Sequence, residues 1–234
     1  LGIGANTAIF SLINATLLQR LPVAGRERLV NVWRGGPGGV MPYPLYASLR
    51  DNNRVFDSYG VWGGITASLN ADNATDLVSG VIVTGNLFDL LGVRPGLGRL
   101  LSAADDQTVG GHPVAVISHA LWQTRFAARA DIVDHDILLN GHRFTIVGVT
   151  PPEFRGPTVG ARSDLYVPMM MQAIMRPPRA SYSGEMDPDL LKQPTNGWLF
   201  GIARLKAGVT PEQARADLTP LEASFALDIG RRST

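Results

Sequence analysis

The chain has 234 residues, 45% of them hydrophobic and 18% charged, and a net charge of +1. That length holds one large domain or two small ones, and the interspersed charges leave no basic stripe with interleaved aromatics for nucleic acid. The absence of cysteine excludes disulfides, thiolate nucleophiles and the common Cys-built zinc sites.

Leu1 to Gln19 contain no Asp, Glu, Lys or Arg. The chain starts with Leu and reads as helix there. The expectation is a piece of a larger protein, opening within or just after a membrane-spanning segment. A full span takes about 20 mostly apolar residues, and this run is diluted by Asn6, Thr7, Ser11, Asn14 and Thr16. Thr7, Ser11 and Ala15 recur every four residues, a stripe of small side chains along which membrane helices approach closely. The competing reading is a buried amphipathic helix of a soluble protein. A signal peptide fits less well, because no basic stretch precedes the run. Arg20, Arg26 and Arg28 follow it, which runs against export, since positive charge marks the cytoplasmic side. Gly2-Ile3-Gly4-Ala5-Asn6-Thr7 half-matches a dinucleotide fingerprint but lacks the preceding strand and third small residue that motif needs.

Leu29 to Arg34 reads as a strand and Gly35 to Gly39 as a flexible turn. Pro44 suits the first turn of a helix, whose apolar face is Leu45, Tyr46 and Leu49 and whose end is near Asn53. Val55 to Trp62 and Asp76 to Thr84 read as strands. Asn86 is placed to cap a short helix through Leu91, which Gly92 to Gly98 breaks. Val114 to Ile117 is a short buried strand. Ser118 caps a helix with Leu121, Trp122 and Phe126 on one face. Asn140-Gly141 tolerates the positive φ of a two-residue type I′ turn, which makes Ile137 to Leu139 and His142 to Val149 an antiparallel pair. Leu165 to Pro168 is another strand.

Residues 169–196 are rich in Met and Pro with no regular period, and read as a long surface loop. Met169, Met170, Met171 and Met175 are soft ligands for Cu(I), weighed against the simpler role of covering an apolar patch. Trp198 to Leu205 is a last strand. Thr210-Pro211-Glu212-Gln213 is a capping-box start with Pro at the first helical position. Ala214, Leu218, Leu221 and Phe225 form the apolar face of the helix that follows. Pro220 predicts a kink or two short helices.

No Gly-x-Ser-x-Gly elbow, Walker A loop, His-Glu-x-x-His or Ser-x-x-Lys occurs in the chain. Asp134-His135-Asp136 is the densest set of metal-ligating types. On a strand the two aspartates would share one face and the histidine the other, so a solvated strand entrance is expected. Asp105-Asp106 and Asp187-Pro188-Asp189 read as solvated loop acids. Asn73-Ala74-Thr75 fits a glycosylation acceptor, a pattern common by chance. Catalysis needs an activated nucleophile, a tuned acid–base pair or a metal. The expectation is therefore no catalytic residue, no cofactor-binding residue, no metal ligand and no enzyme.

Val83 to Leu101, VTGNLFDLLGVRPGLGRLL, resembles the signature of MacB-like periplasmic core domains in ABC-transporter permeases of the FtsX/MacB type. Six further stretches resemble it in order: Pro113 to Trp122, Leu139 to Gly141, Phe144 to Val149, Phe154 to Gly156, Asp164 to Pro168 and Ala203 to Thr210. The opening segment is similar to the first transmembrane helix of the same permeases, the nearest being the large permeases abundant in Acidobacteria. The resemblance implies an α+β fold: a porter-like (ferredoxin-like βαββαβ) subdomain with an inserted strand-rich Sabre-like subdomain. It places the end of the first transmembrane helix at 1–22, the porter-like part at 25–95 plus 197–230, the Sabre-like part at 96–168, and the Met/Pro-rich loop at 169–196. Asp134-His135-Asp136, the long Met-rich loop and Pro220 depart from the family pattern.

The implied function is a non-catalytic domain facing the periplasm from the bacterial inner membrane, transmitting motion driven by a cytoplasmic ATPase. The implied partners are a second permease copy or repeat, a cytoplasmic ABC ATPase and a periplasmic adaptor, with membrane anchoring in the full-length protein and no nucleic acid. The alternative is a ligand-binding or sensory module on the same scaffold, with a cleft beneath the Met-rich loop. A free hydrolase stands last, for want of an activated group.

Overall fold

The computed structural model describes residues 10–14, 26–158, 160–176 and 189–232. In chain order its elements are β1 (Phe10–Asn14), β2 (Leu29–Arg34), α1 (Tyr43–Asn52), β3 (Phe56–Ala71), β4 (Ala74–Val83), α2 (Leu87–Leu91), β5 (Leu97–Gly98) and β6 (Val114–Ile117). There follow α3 (His119–Arg125), β7 (Asp136–Leu139), β8 (His142–Val149), β9 (Leu165–Pro168), α4 (Gln172–Met175), β10 (Phe200–Leu205) and α5 (Pro211–Arg232). Helices and strands are mixed throughout, an α+β chain. It divides into two compact units, one of residues 1–16, 27–59 and 191–234 and the other of 17–26 and 60–190.

The first unit is built on the strand order β1-β2-β10-β3. β2 pairs antiparallel with β1 on one side, Phe10 opposite Arg34, and with β10 on the other, Val32 opposite Gly201. Gly201 is needed there, because a side chain would press within 2.9 Å of the Val32 carbonyl and 3.1 Å of the Tyr59 ring. α1 turns Leu45, Tyr46 and Leu49 inward, the i, i+1, i+4 face expected of them. Tyr46 meets Tyr59 edge-on at 5.0 Å, and the Tyr59 hydroxyl donates to the Met41 sulfur at 2.9 Å. α5 opens with the capping box read from the sequence: Gln213 N–H donates to Thr210 Oγ1 at 3.3 Å and Thr210 N–H to Gln213 Oε1 at 2.9 Å. Ala214 and Leu218 are fully buried.

One expectation fails in this unit, and one alternative of a second. The opening segment was expected as helix, yet Phe10–Asn14 is a strand. A helix satisfies its backbone internally, whereas a strand needs an edge, and the outer side of β2 supplies one. The remainder of 1–22 lies outside the described residues. No helix among the described residues is long and apolar enough to cross a membrane. Pro220 does not divide α5, which runs unbroken from Pro211 to Arg232. One missing N–H orphans only the Ala216 carbonyl. Thr219 Oγ1 adds a bond to the Arg215 carbonyl at 2.8 Å, and Arg34 holds the next turn through Glu222 at 2.7 Å.

The second unit carries the strand order β3-β4-β9-β6-β8-β5, with β7 pairing both β3 and β8. β3 and β4 form a long antiparallel hairpin from Trp62↔Val83 to Ala71↔Ala74. Its turn, Asp72-Asn73, has φ of 49° and 62°, the positive values a two-residue type I′ turn demands. β9 runs parallel to β4 and antiparallel to β6. Every residue of β9 is buried, as a central strand with both faces covered requires. Asn140 and Gly141 adopt φ of 51° and 81° and join β7 to β8 in the expected pairing. Asn140 also bonds across the unit, its Oδ1 accepting from Ser68 N–H at 3.0 Å.

The Met-rich stretch was expected as a surface loop, and its first part is not one. Met169–Met171 forms a 3-10 turn leading into α4. Met169, Met170, Met171 and Met175 are between 0% and 8% exposed. Unbranched thioether side chains fill irregular gaps, so the cluster packs the core instead of lining a surface. Buried Gln172 ties the turn down: its Oε1 accepts from Leu190 N–H at 2.9 Å and its Nε2 donates to the Arg176 carbonyl at 3.1 Å. Residues 177–188 lie outside the described residues.

Candidate functional site

The stretch from Val83 to Leu101 is a joint, and each of its small and polar residues has a geometric reason. Gly85 lies against backbone: a Cβ there would fall 2.3 Å from the Ser102 carbonyl oxygen. α2 then buries Leu87, Phe88, Leu90 and Leu91. Asn86 stands at the cap position without making a side-chain capping bond, contrary to expectation. The Thr84 carbonyl accepts Leu87 N–H at 2.9 Å in its place. Gly92 ends the helix at φ 63°, with Val93 N–H closing on the Phe88 carbonyl at 3.0 Å. This is a left-handed helix stop that favours Gly. Beneath α2, Phe88, Phe154 and Tyr166 form a triangle with centroid separations of 5.3–5.7 Å. Burial pushes the Tyr166 hydroxyl pKa up, with Asp164 nearby adding to it.

The chain then turns back along β8. Gly96 N–H and Arg99 N–H donate to the Val149 and Val147 carbonyls, each at 2.9 Å. The Arg99 guanidinium forks onto Asp105, at 2.7 Å to Oδ2 and 2.8 Å to Oδ1. Asp105 Oδ2 also accepts from Ser102 N–H at 2.9 Å and Ser102 Oγ at 3.0 Å. Burial by itself would raise the Asp105 pKa, but the bonds from Arg99 and Ser102 together hold it below the ordinary carboxylate value. Asp106 joins two distant stretches, its Oδ2 accepting from Gly85 N–H at 3.0 Å and its Oδ1 from Met170 N–H at 2.8 Å.

Asp105 and Asp106 were expected as solvated loop acids. Asp105 is only 5% exposed, and both carboxylates spend their lone pairs on fixed donors. One signal was available for Asp105: Ser102-Ala103-Ala104-Asp105 is a capping-box pattern, and the structure forms it. Nothing local marked Asp106, whose partner on Met170 is 64 residues away.

The other candidates do not converge. Asp134 has φ 65° and the strand starts only at Asp136. Asp136 accepts from Thr145 Oγ1 at 2.8 Å and Arg143 at 2.9 Å, and both hold its pKa down. His135 stands 4.0 Å from Asp72, while His119 lies edge-on to Trp122. Among the described residues no group of three or more His, Asp or Glu is placed to hold a metal ion. The four methionines are packed in the core. Asn73 and Thr75 lie on the exposed hairpin end, where Thr75 Oγ1 accepts from Asn70 at 2.8 Å. Gly2, Gly4 and Asp187 lie outside the described residues.

The arrangement joins α2, β5, β8 and the start of the Met-rich turn into one cross-bonded body and leaves no activated group within it. Comparison with known proteins gives the family and the fold. The family model described as MacB-like periplasmic core domain matches residues 1–221. The fold is similar to the periplasmic region of MacB from Actinobacillus actinomycetemcomitans, with TM-score 0.62, 16% identity, and coverage of 89% of this chain and 88% of that one. It is also similar to a permease-protein domain from Porphyromonas gingivalis, with TM-score 0.57, 15% identity and coverage of 80% and 71%. The extracellular domain of the noncanonic ABC-type transporter YknZ from Gram-positive bacteria gives TM-score 0.51, 12% identity and coverage of 78% and 80%. No curated protein matches the chain.

Proposed function

The chain belongs to the MacB-like periplasmic core domain family of ABC-transporter permeases, and from that premise we propose that it is a non-catalytic domain for transmitting motion. It faces the periplasm from the bacterial inner membrane. Cytoplasmic ATP hydrolysis moves the membrane helices, and this domain carries that movement to periplasmic work or export. Its partners are a cytoplasmic ABC ATPase, a second permease copy or repeat, and a periplasmic adaptor. In the layout we propose, residues 25–95 plus 197–230 act as the porter-like part and 96–168 as the Sabre-like part.

The observation that carries this reading is the joint at 83–106. Arg99, Ser102, Asp105 and Asp106 are chemically capable groups, and they bond to one another and to the backbone N–H of Gly85 and Met170. A body meant to transmit displacement gains from such bonds, because packed, cross-linked elements move as units. The alternative, a ligand-binding or sensory module with a cleft beneath the Met-rich segment, draws less support. Met169 to Met175 pack inward and leave no methionine wall for such a cleft.

The test is a full-length permease in which residues 26–232 are replaced by a short linker. It is expected to bind ATP together with its ATPase and fail to complement a permease-null strain. Full complementation would overturn the proposal.

A further inference from the structure

We propose that a cavity beside the first turn of α3 binds a small oxyanion, a carboxylate or phosphate group. The cavity measures about 110 Å³ and is lined by Ser118, His119, Phe154, Arg155, Arg162, Ser163 and Asp164, among others. A single water needs ~10–15 Å³ by the same measure, so a phosphate or a short carboxylate fits.

Three observations point to a ligand of that charge. The first is the state of the arginines. Arg28, Arg34, Arg99, Arg125, Arg129 and Arg143 each hold a carboxylate at 2.6–2.9 Å. Arg155 and Arg162 share one cavity wall and have no ion-pair partner among the described residues. Asp164 sets one negative charge against their two, so the lining stays net positive. A guanidinium is a planar fork suited to carboxylate and phosphate oxygens.

The second is that the backbone on either side of the arginines is tied down. Ser163 N–H closes it on the Arg155 carbonyl at 3.0 Å, and Tyr166 Oη donates to the Ser163 carbonyl at 3.2 Å. Trp62 Nε1 donates to Thr158 Oγ1 at 3.0 Å. Backbone already held by these bonds costs less to order when a ligand binds. The third is Ser163 itself, 7% exposed and on the cavity wall. A hydroxyl donates as well as accepts, and an oxyanion in the cavity would accept from it.

The test uses the 234-residue chain at low salt, titrated with inorganic phosphate and separately with succinate, followed by ¹⁵N chemical shifts. Saturable binding of at least one is expected, with the shifts centred on 155–164. Saturation by phosphate alone assigns a phosphate group, and by succinate alone a carboxylate; saturation by both assigns the shared oxyanion chemistry. The double variant Arg155→Ala/Arg162→Ala is expected to weaken binding about tenfold or more, and Ser163→Ala several-fold. Arg94→Ala, which removes an exposed arginine outside the cavity, is expected to leave binding unchanged. No saturable binding by either anion, or equal loss in Arg94→Ala, would overturn the proposal.

Discussion

Asp105 receives four hydrogen bonds, two from Arg99 and two from Ser102. Asp105→Ala strips all four and leaves the Ser102 N–H unsatisfied. Hydrogen bonds to charged groups contribute ~1.5–3 kcal/mol net, so urea unfolding should show a loss of about 2–3 kcal/mol. The pH dependence has a definite sign. The folded Asp105 pKa is depressed, so its contribution is present above the unfolded value of ~3.9 and is lost as pH falls through the folded pKa. The gap between wild type and Asp105→Ala should therefore start to narrow below about pH 4 and close only below the depressed folded pKa; a constant gap between them down to acid pH would contradict this role. At Gly85, Gly85→Ala drives a methyl to 2.3 Å from the Ser102 carbonyl and should cost about 1–3 kcal/mol. Gly64 faces open space, so Gly64→Ala on the same measurement should change little. Equal effects at the two positions would show that close approach is not what Gly85 provides.

α5 offers the clearest test among the elements. Pro220 removes one i→i−4 bond in a helix that continues for three more turns. Pro220→Ala restores the bond and removes the ring clash, at some loss of unfolded-state restriction. A gain of about 1–2 kcal/mol is expected in thermal melts; a loss would mean that the proline's fixed φ sets the path of the helix. The elements also mark what local pattern can and cannot reveal. β2, β6, β9 and the Asn140-Gly141 hairpin were legible because their signals, β-branched runs and positive-φ turn residues, act within a few residues. The strand at Phe10–Asn14 was not, since its pairing depends on an edge sixteen or more residues away at β2. The two-helix alternative at Pro220 failed because a breaker is weighed locally while Glu222 is held by Arg34, 188 positions earlier. The same distance hid most of the joint. The Ser102 capping box was readable, the Asp106 bridge to Met170 was not, and the pairing of Arg155 with Arg162 around one cavity needed the closed loop.

At the scale of the whole molecule, the proposed transmission predicts that the second unit moves as a body when the membrane part moves. Its cross-bonds at Arg99–Asp105 and Asp106–Met170 resist internal deformation, and stiffness within a body is what lets displacement pass through it. These 234 residues contain no cysteine, so Leu77→Cys and Val109→Cys, at positions 78% and 60% exposed, are the label sites of this domain, with any cysteine elsewhere in the permease or ATPase replaced by serine. The most direct measurement is pulsed electron–electron distance spectroscopy on the full-length permease with its ATPase, with and without ATP. The account predicts an unchanged Leu77–Val109 distance within one domain and a shifted Leu77–Leu77 distance between the two permease copies. A copy-to-copy distance indifferent to ATP, or an internal distance that changes with it, would contradict it.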